Sequence, residues 1–378
     1  VDEGIGTPRP TVFSQTFTNA EGFFEFTLPP GDYCYRIQDT GRVLTDYQHF
    51  EVEDEPLYFE AKAGSTGYVE ATIVDGDGQP MPGKLTVVGT HEYRGDLVKR
   101  EFLYDLEAGQ QWRTSDLVPD QQDDPSTRKY VEGVAYASAD GHVRTNVRPG
   151  KYTVYFSRGP EYELVSREMT VKPGATSRAN ARLDRTLDTD GYLSGDFHMH
   201  ARGSIDSGLD YNERVISIAA EGVEVVVSSD HNYVSDYLPY IYRNALQPFL
   251  RSIVGVELTT FEFGHFNAFP LDYEVGSVNR GSVPWQRIPP QTIFDELRDN
   301  GKLGPDQTII QVNHPRDSIL GYFSQFNMNP FSTDVTPEFL LAQGAPLTEK
   351  ATAAVASPSG NAFIRNCTQD GVDCRGDE

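Results

Sequence analysis

Ala139-Asp140-Gly141-His142-Val143-Arg144-Thr145-Asn146-Val147-Arg148-Pro149-Gly150-Lys151-Tyr152 reads as one β-hairpin unit. Asp-Gly supplies a tight turn and an alternating run follows. Pro-Gly then turns the chain again, and Tyr152 opens the next strand. The same punctuation stands earlier in the chain without a gap, as Ala20-Glu21-Gly22 and then Pro30-Gly31-Asp32-Tyr33. Two matches predict two copies of one β-sandwich module. Around them, runs rich in Val, Thr, Tyr and Phe alternate with Gly, Pro, Asn and Asp, as in Leu85-Thr86-Val87-Val88-Gly89. The second copy is expected over 63–185, with an opening strand at Gly67–Val74 and a polar insert between His91 and Lys129. The first copy, 1–62, lacks an obvious opening pair of strands and is expected to be partial. The pattern of Asp-Gly followed by Pro-Gly-x-Tyr decides the fold, not the function.

That pattern resembles transthyretin-like and carboxypeptidase-regulatory-like modules. The texture changes near Leu187–Gly191, where strands and helices begin to alternate, the signature of an α/β layer or barrel. Strands are predicted at Tyr192–His198, Val223–Ser229, Ile253–Leu258, His265–Phe269 and Thr308–Val312. Helices are predicted at Tyr211–Ala220, with Gly222 past its end, and at Pro290–Asn300, which opens with proline and stops at Gly301.

Five of the eight histidines lie in this second half, each at or near a strand end. His198 and His200 are two apart, so on a strand both imidazoles face one side. Asp230-His231 ends the next strand, Glu257 ends the third, His265 opens another, and His314 follows a later one. A lone histidine at a strand end is ordinarily structural. Several imidazoles and carboxylates at converging strand ends are what a cluster of divalent cations requires. His49, His91 and His142 lie in the β modules without a partner pattern and read as structural or surface residues.

The ordered stretches Gly195-Asp196-Phe197-His198-Met199-His200, Ser228-Ser229-Asp230-His231-Asn232, Gly255-Val256-Glu257, Gly264-His265-Phe266-Asn267 and Asn313-His314-Pro315-Arg316 resemble the PHP (polymerase and histidinol phosphatase) superfamily, in its CehA/McbA-like branch. The resemblance covers about residues 190–330. It implies a distorted (β/α) barrel holding two or three divalent ions, Zn, Mn or Fe. It also implies His198, His200, His231, Glu257, His265 and His314 as ligands, with Glu257 bridging. Asp206 falls near a position where relatives place an acidic ligand. Asp230 and Asp196 are expected to orient the imidazoles, and Arg316 is a candidate phosphate clamp. The chain is thus expected to be multidomain: all-β sandwich modules, then a PHP-type domain over 186–378. The late Asp-x-His motif of the family is not found between 315 and 378, and the chain begins at Val1 without a leader-like stretch, so the expectation is a fragment.

Composition bounds the function. The chain has 378 residues, a net charge of −24, 38% hydrophobic and 23% charged residues, which describes a folded protein. Its longest apolar runs are too short for a membrane span of ~20 residues. An acidic surface repels a phosphate backbone, which argues against nucleic acid as a partner. Cations would have to supply the positive charge for a phosphoester substrate. Cys367 and Cys374 could close a small disulfide loop, while Cys34, inside a strand-like run, is expected to be a buried thiol. Acidity and few cysteines suit an extracellular, periplasmic or cell-surface location. Three functions follow: a phosphoesterase using hydroxide between bridged metals, a hydrolase of carbamate, amide or ester bonds, or a catalytically degenerate extracellular structural or adhesion protein. The β modules could bind carbohydrate or protein.

Overall fold

The structure is a computed structural model and describes residues 14, 16–37, 39–43, 45–89, 130–261, 263–317 and 320–325. The predicted polar insert, His91 and the cysteines Cys367 and Cys374 lie outside the described residues.

The second β module is a two-sheet sandwich. Its first sheet has the order β6 (His142–Val147), β3 (Gly67–Val74), β9 (Thr176–Arg182). Its second has the order β5 (Tyr130–Ala137), β4 (Gly83–Gly89), β7 (Gly150–Ser157), β8 (Val165–Val171). In β3 burial alternates residue by residue, so Val69, Ala71 and Ile73 face inward while Glu70 and Thr72 face out. They meet Leu85, Val87, Val154 and Phe156 of the other sheet in one core. Each fully buried Ile, Leu or Phe contributes roughly 1.5–3 kcal/mol relative to exposure.

The repeat is visible in the backbone. Gly22 and Gly141 both take positive φ, 82° and 69°, in turns closed by Gly22 N–H to Asn19 O and Gly141 N–H to Ser138 O. Tyr33 Oη donates to Pro29 O at 3.0 Å, and Tyr152 Oη donates to Arg148 O at 2.5 Å, the same step back along the chain. In the first copy the described strands are β1 (Gly31–Tyr35) and β2 (Gln48–Val52), paired antiparallel. Tyr33 and Tyr35 turn inward onto Phe50, and Tyr35 and Phe50 also meet Phe59. Cys34, between them, points outward opposite His49. The expected buried thiol is therefore exposed, because strand alternation gives the inner face to the tyrosines.

Two three-stranded sheets follow. β10 (Gly195–Met199), β11 (Val225–Ser228) and β12 (Arg251–Val254) are parallel. β13 (Val256–Thr259), β14 (His265–Phe269) and β15 (Ile309–Val312) are antiparallel. The predicted strand Ile253–Leu258 is two strands, because the chain changes sheet at Gly255. A Cβ there would fall 2.7 Å from Val227 Cγ1 and 2.9 Å from Ala268 O, so only glycine permits the crossing. The described residues show this parallel-then-antiparallel pair of sheets and not a closed (β/α) barrel.

Helix α1 (Tyr211–Ala220) begins where Asp210 caps Asn212 N–H, and buries Val215, Ile218 and Ala219. α2 (Leu238–Arg243) adds Ile241 to the same core, and α3 (Pro290–Asp299) packs Ile293 and Leu297 against the antiparallel sheet. A short α4 (Tyr322–Gln325) places Tyr322 beside Phe266. α1 also leans on the sandwich. Gly159, at φ 62°, approaches Glu221 so closely that a Cβ would lie 2.3 Å from its carbonyl oxygen.

Candidate metal centre

The functional side chains gather around Glu257, which is fully buried in the middle of β13. Its neighbours arrive from four directions. β10 ends at His198 and His200. His231 follows β11 and bridges to Glu257 in parallel fashion. His265 opens β14, opposite Thr259. His314 follows β15 with a positive φ of 24°.

The two carboxylate oxygens of Glu257 face different histidines. Oε2 lies 3.1 Å from His198 Nε2, 3.2 Å from His200 Nε2 and 3.1 Å from His231 Nδ1. Oε1 lies 3.1 Å from His265 Nδ1 and 3.5 Å from His314 Nε2. On the outer side, Asp206 Oδ2 lies 3.3 Å from His231 Nε2, and Ser204 Oγ donates to Asp206 Oδ1 at 2.7 Å. The rings of His200 and His231 stack at 4.5 Å. All six of the expected ligands, and Asp206, thus lie in one place.

The electrostatics are those of a carboxylate held among donors. Burial alone would raise the Glu257 carboxyl, but hydrogen bonds from His198, His200, His265 and Asn313 outweigh it and hold the group far below the usual carboxylate range. The same bond raises His198 above an ordinary histidine. Burial pushes His231 down, which keeps its imidazole neutral. Asp206 is also pushed up by burial, yet the Ser204 hydroxyl and the imidazoles of His200 and His231 bring it net below the usual range.

These residues suit divalent cations. Three overlapping sets, His198–His200–Glu257, His200–Asp206–His231 and His231–Glu257–His265, each bring ligand atoms within 4.8 Å of one another. The nitrogen-to-oxygen separations of 3.1–3.5 Å match the edge of roughly 3.3 Å expected for tetrahedral bonds of ~2.0–2.1 Å. His265 Nε2 is buried with no hydrogen-bond partner among the described residues. Mixed imidazole and carboxylate donors fit Zn, Mn or Fe.

Asp230 and Asp196 act on the backbone, not on the rings. Asp196 Oδ1 accepts from the backbone N–H of His198 at 2.9 Å. Buried Asp230 accepts from Ala201 N–H at 2.6 Å and from Tyr211 Oη at 2.9 Å. Asp230 therefore fixes the turn that carries His200 toward Ser204 and Asp206, and burial raises its own pKa. Asp230→Asn replaces one acceptor oxygen by a donor and should weaken metal affinity roughly 10- to 100-fold. Titration with Zn²⁺ against a competing chelator would measure it, and an unchanged affinity would remove Asp230 from any supporting role. Arg316 is exposed on the turn after His314 and makes no hydrogen bond to the cluster.

Sequence reasoning missed four residues. Asn313 Nδ2 donates to Glu257 Oε1 at 2.9 Å and to Asn267 Oδ1 at 2.7 Å, and Asn267 Nδ2 donates to Phe197 O at 2.6 Å. Thr259 Oγ1 hydrogen-bonds His231 Nδ1, and Ser204 Oγ lies 3.2 Å from His200 Nδ1. Thr259 and Asn267 carried a readable signal. Each stands two residues beyond a ligand on its strand and so shares its face. Asn313 and Ser204 had no such mark.

No family model matches the chain, and no curated protein matches it. Solved structures give weak likenesses. The Bacillus anthracis TIE protein is 18% identical over 50% of this chain and 31% of its own, with a TM-score of 0.21. GBS52, the minor pilin of Streptococcus agalactiae, is 14% identical over 43% of this chain and 63% of its own, with a TM-score of 0.20. A streptococcal ancillary pilin is 17% identical over 42% and 46%, with a TM-score of 0.23. This chain spans less than two thirds of each of them, and likenesses at that score carry no argument about its function. No helix among the described residues is long and apolar enough to cross a membrane.

Proposed function

We propose that residues 190–325 form the centre of a divalent-metal-dependent hydrolase related to the PHP metallohydrolases, acting on phosphoesters. The observation that supports this reading is the division of Glu257. Its Oε2 is shared among His198, His200 and His231, and its Oε1 between His265 and His314, as a carboxylate bridging two cations would be. Divalent ions held there would supply Lewis acidity and make an activated water available at neutral pH.

The chain's own groups do the rest. Glu257 keeps its charge under burial because four side chains donate to it. Asn313 and Thr259 fix the orientation of that carboxylate and of His231. Asp206, at the exposed edge, is placed to accept a proton from an incoming water. Arg316, on the turn beyond His314, is the cation that would meet phosphate oxygens at the entrance. The protein surface, at −24, would not attract an anion by itself.

The test is metal stripping and reloading of the full chain, followed by assay on a phosphomonoester and a carbamate. At least two ions per chain and Mn²⁺- or Zn²⁺-dependent release of phosphate are expected. A faster reaction on the carbamate would move the reading to acyl bonds. Less than one ion per chain would leave a non-catalytic extracellular module.

A further inference from the structure

Beside the cluster lies a cleft of about 430 Å³. Its floor is His231 and Thr259, and its walls include Ile205, Tyr233, Phe261 and Asn279. Two of these walls are apolar side chains left in water: Ile205 is 96% exposed and Phe261 70% exposed. Phe261 stands edge-on to Trp285, with ring centroids 5.7 Å apart, which holds it in position without covering it. Among the described residues no Lys, Arg, Asp or Glu lines the cleft. The nearby Arg280 is engaged elsewhere, donating from Nε to Tyr233 Oη at 3.1 Å with its guanidinium over the Tyr273 ring.

We propose that this cleft binds an uncharged aromatic group, so that the ester cleaved at the neighbouring cluster is that of an aryl or arylmethyl alcohol. The inference rests on the hydrolase reading above and adds the substrate class to it. A second phosphate or a nucleotide tail would find no cation here. A flat ring would cover the exposed faces of Ile205 and Phe261, and the volume suits one or two fused rings plus a linker. In the reaction, the oxygen of water joins phosphorus and the P–O bond to the alcohol oxygen breaks. That oxygen departs as the alcohol with one proton, and inorganic phosphate carries the other.

The experiment compares benzyl phosphate with ethyl phosphate, whose leaving alkoxides are of similar basicity, on the Mn²⁺-loaded full chain. It also measures binding of benzyl alcohol to the metal-free chain by ligand-observed NMR. Benzyl phosphate should be favoured roughly 10- to 100-fold in kcat/KM. In Phe261→Ala and Ile205→Ala/Phe261→Ala that ratio should fall toward one and benzyl alcohol binding should weaken about tenfold or more. Both side chains are exposed, so these variants should fold. Equal kcat/KM for the two esters, with no binding of benzyl alcohol, would overturn the aromatic cleft and leave the hydrolase standing. Binding that is lost in Phe261→Ala, in a chain that turns over neither ester, would uphold the cleft and overturn the hydrolase. Neither binding nor turnover would overturn both.

Discussion

Glu257→Gln is expected to abolish metal-dependent turnover and to weaken each ion roughly 10²- to 10³-fold, taking one ligand's share of a total near 10–16 kcal/mol. The fold should survive the change. Asn313 donates to one oxygen of residue 257, so the amide carbonyl would take that side. The amide nitrogen would then face His198, His200 and His231, whose neutral rings can accept. The variant thus removes a charge without leaving an orphaned donor. The measurement is metal content after dialysis, beside a urea transition. Full metal content in Glu257→Gln would mean that the histidines meet for a structural reason alone.

The metal-free protein gives the same variant a pH signature. His198 has its pKa raised in the folded state by Glu257. Its stabilising contribution is therefore complete below the ordinary histidine value of about 6.5 and is lost as pH rises through the raised folded value. Metal-free wild-type protein should lose stability over that window, and Glu257→Gln should not. Urea midpoints at several pH values would show it. Parallel curves would mean that His198 gains nothing from the carboxylate.

Arg158→Met should cost about 2–4 kcal/mol, the largest stability effect expected outside the hydrophobic cores. Arg158 leaves the sandwich just after β7 and is 4% exposed. Its Nη1 donates to Pro82 O within the sandwich and to Ala219 O in α1, each at 2.7 Å. Its guanidinium faces the rings of Tyr162 and Phe249 at 5.5 and 5.2 Å, and Phe249 packs against the cores on both sides. Methionine keeps the apolar stem but leaves two buried carbonyls without their donor. Each hydrogen bond to a charged group contributes about 1.5–3 kcal/mol, partly offset by relief of the buried cation. The nearby Lys84–Glu221 pair, 2.8 Å apart and partly exposed, adds well under about 1 kcal/mol. The expected result is a urea transition at lower concentration in which the sandwich and the second half separate. A change below about 0.5 kcal/mol would show that the α1 interface is held by its apolar contacts alone.

Local order was legible in the sequence wherever a residue's own chemistry forces it. Asp210, the apolar stripe and Gly222 fixed α1 as Tyr211–Ala220, and the proline start and Gly301 stop placed α3 within one residue. The repeated Asp-Gly and Pro-Gly turns marked the hairpins because positive φ and fixed φ belong to few residues. Period two put His198 and His200 on one face for the same reason. What the sequence could not say is how the strands associate. The break at Gly255 depends on Val227 and Ala268 approaching from two other strands. The exposure of Cys34 depends on which side of β1 faces Phe50 and Phe59. Asp230's attachment to Ala201 and Tyr211, in place of a ring, depends on where α1 docks. Each residue's type sets which bonds it can make. Which partner satisfies a buried group is settled only when distant segments pack and exclude water, and that packing made Asn313 the residue that holds Glu257.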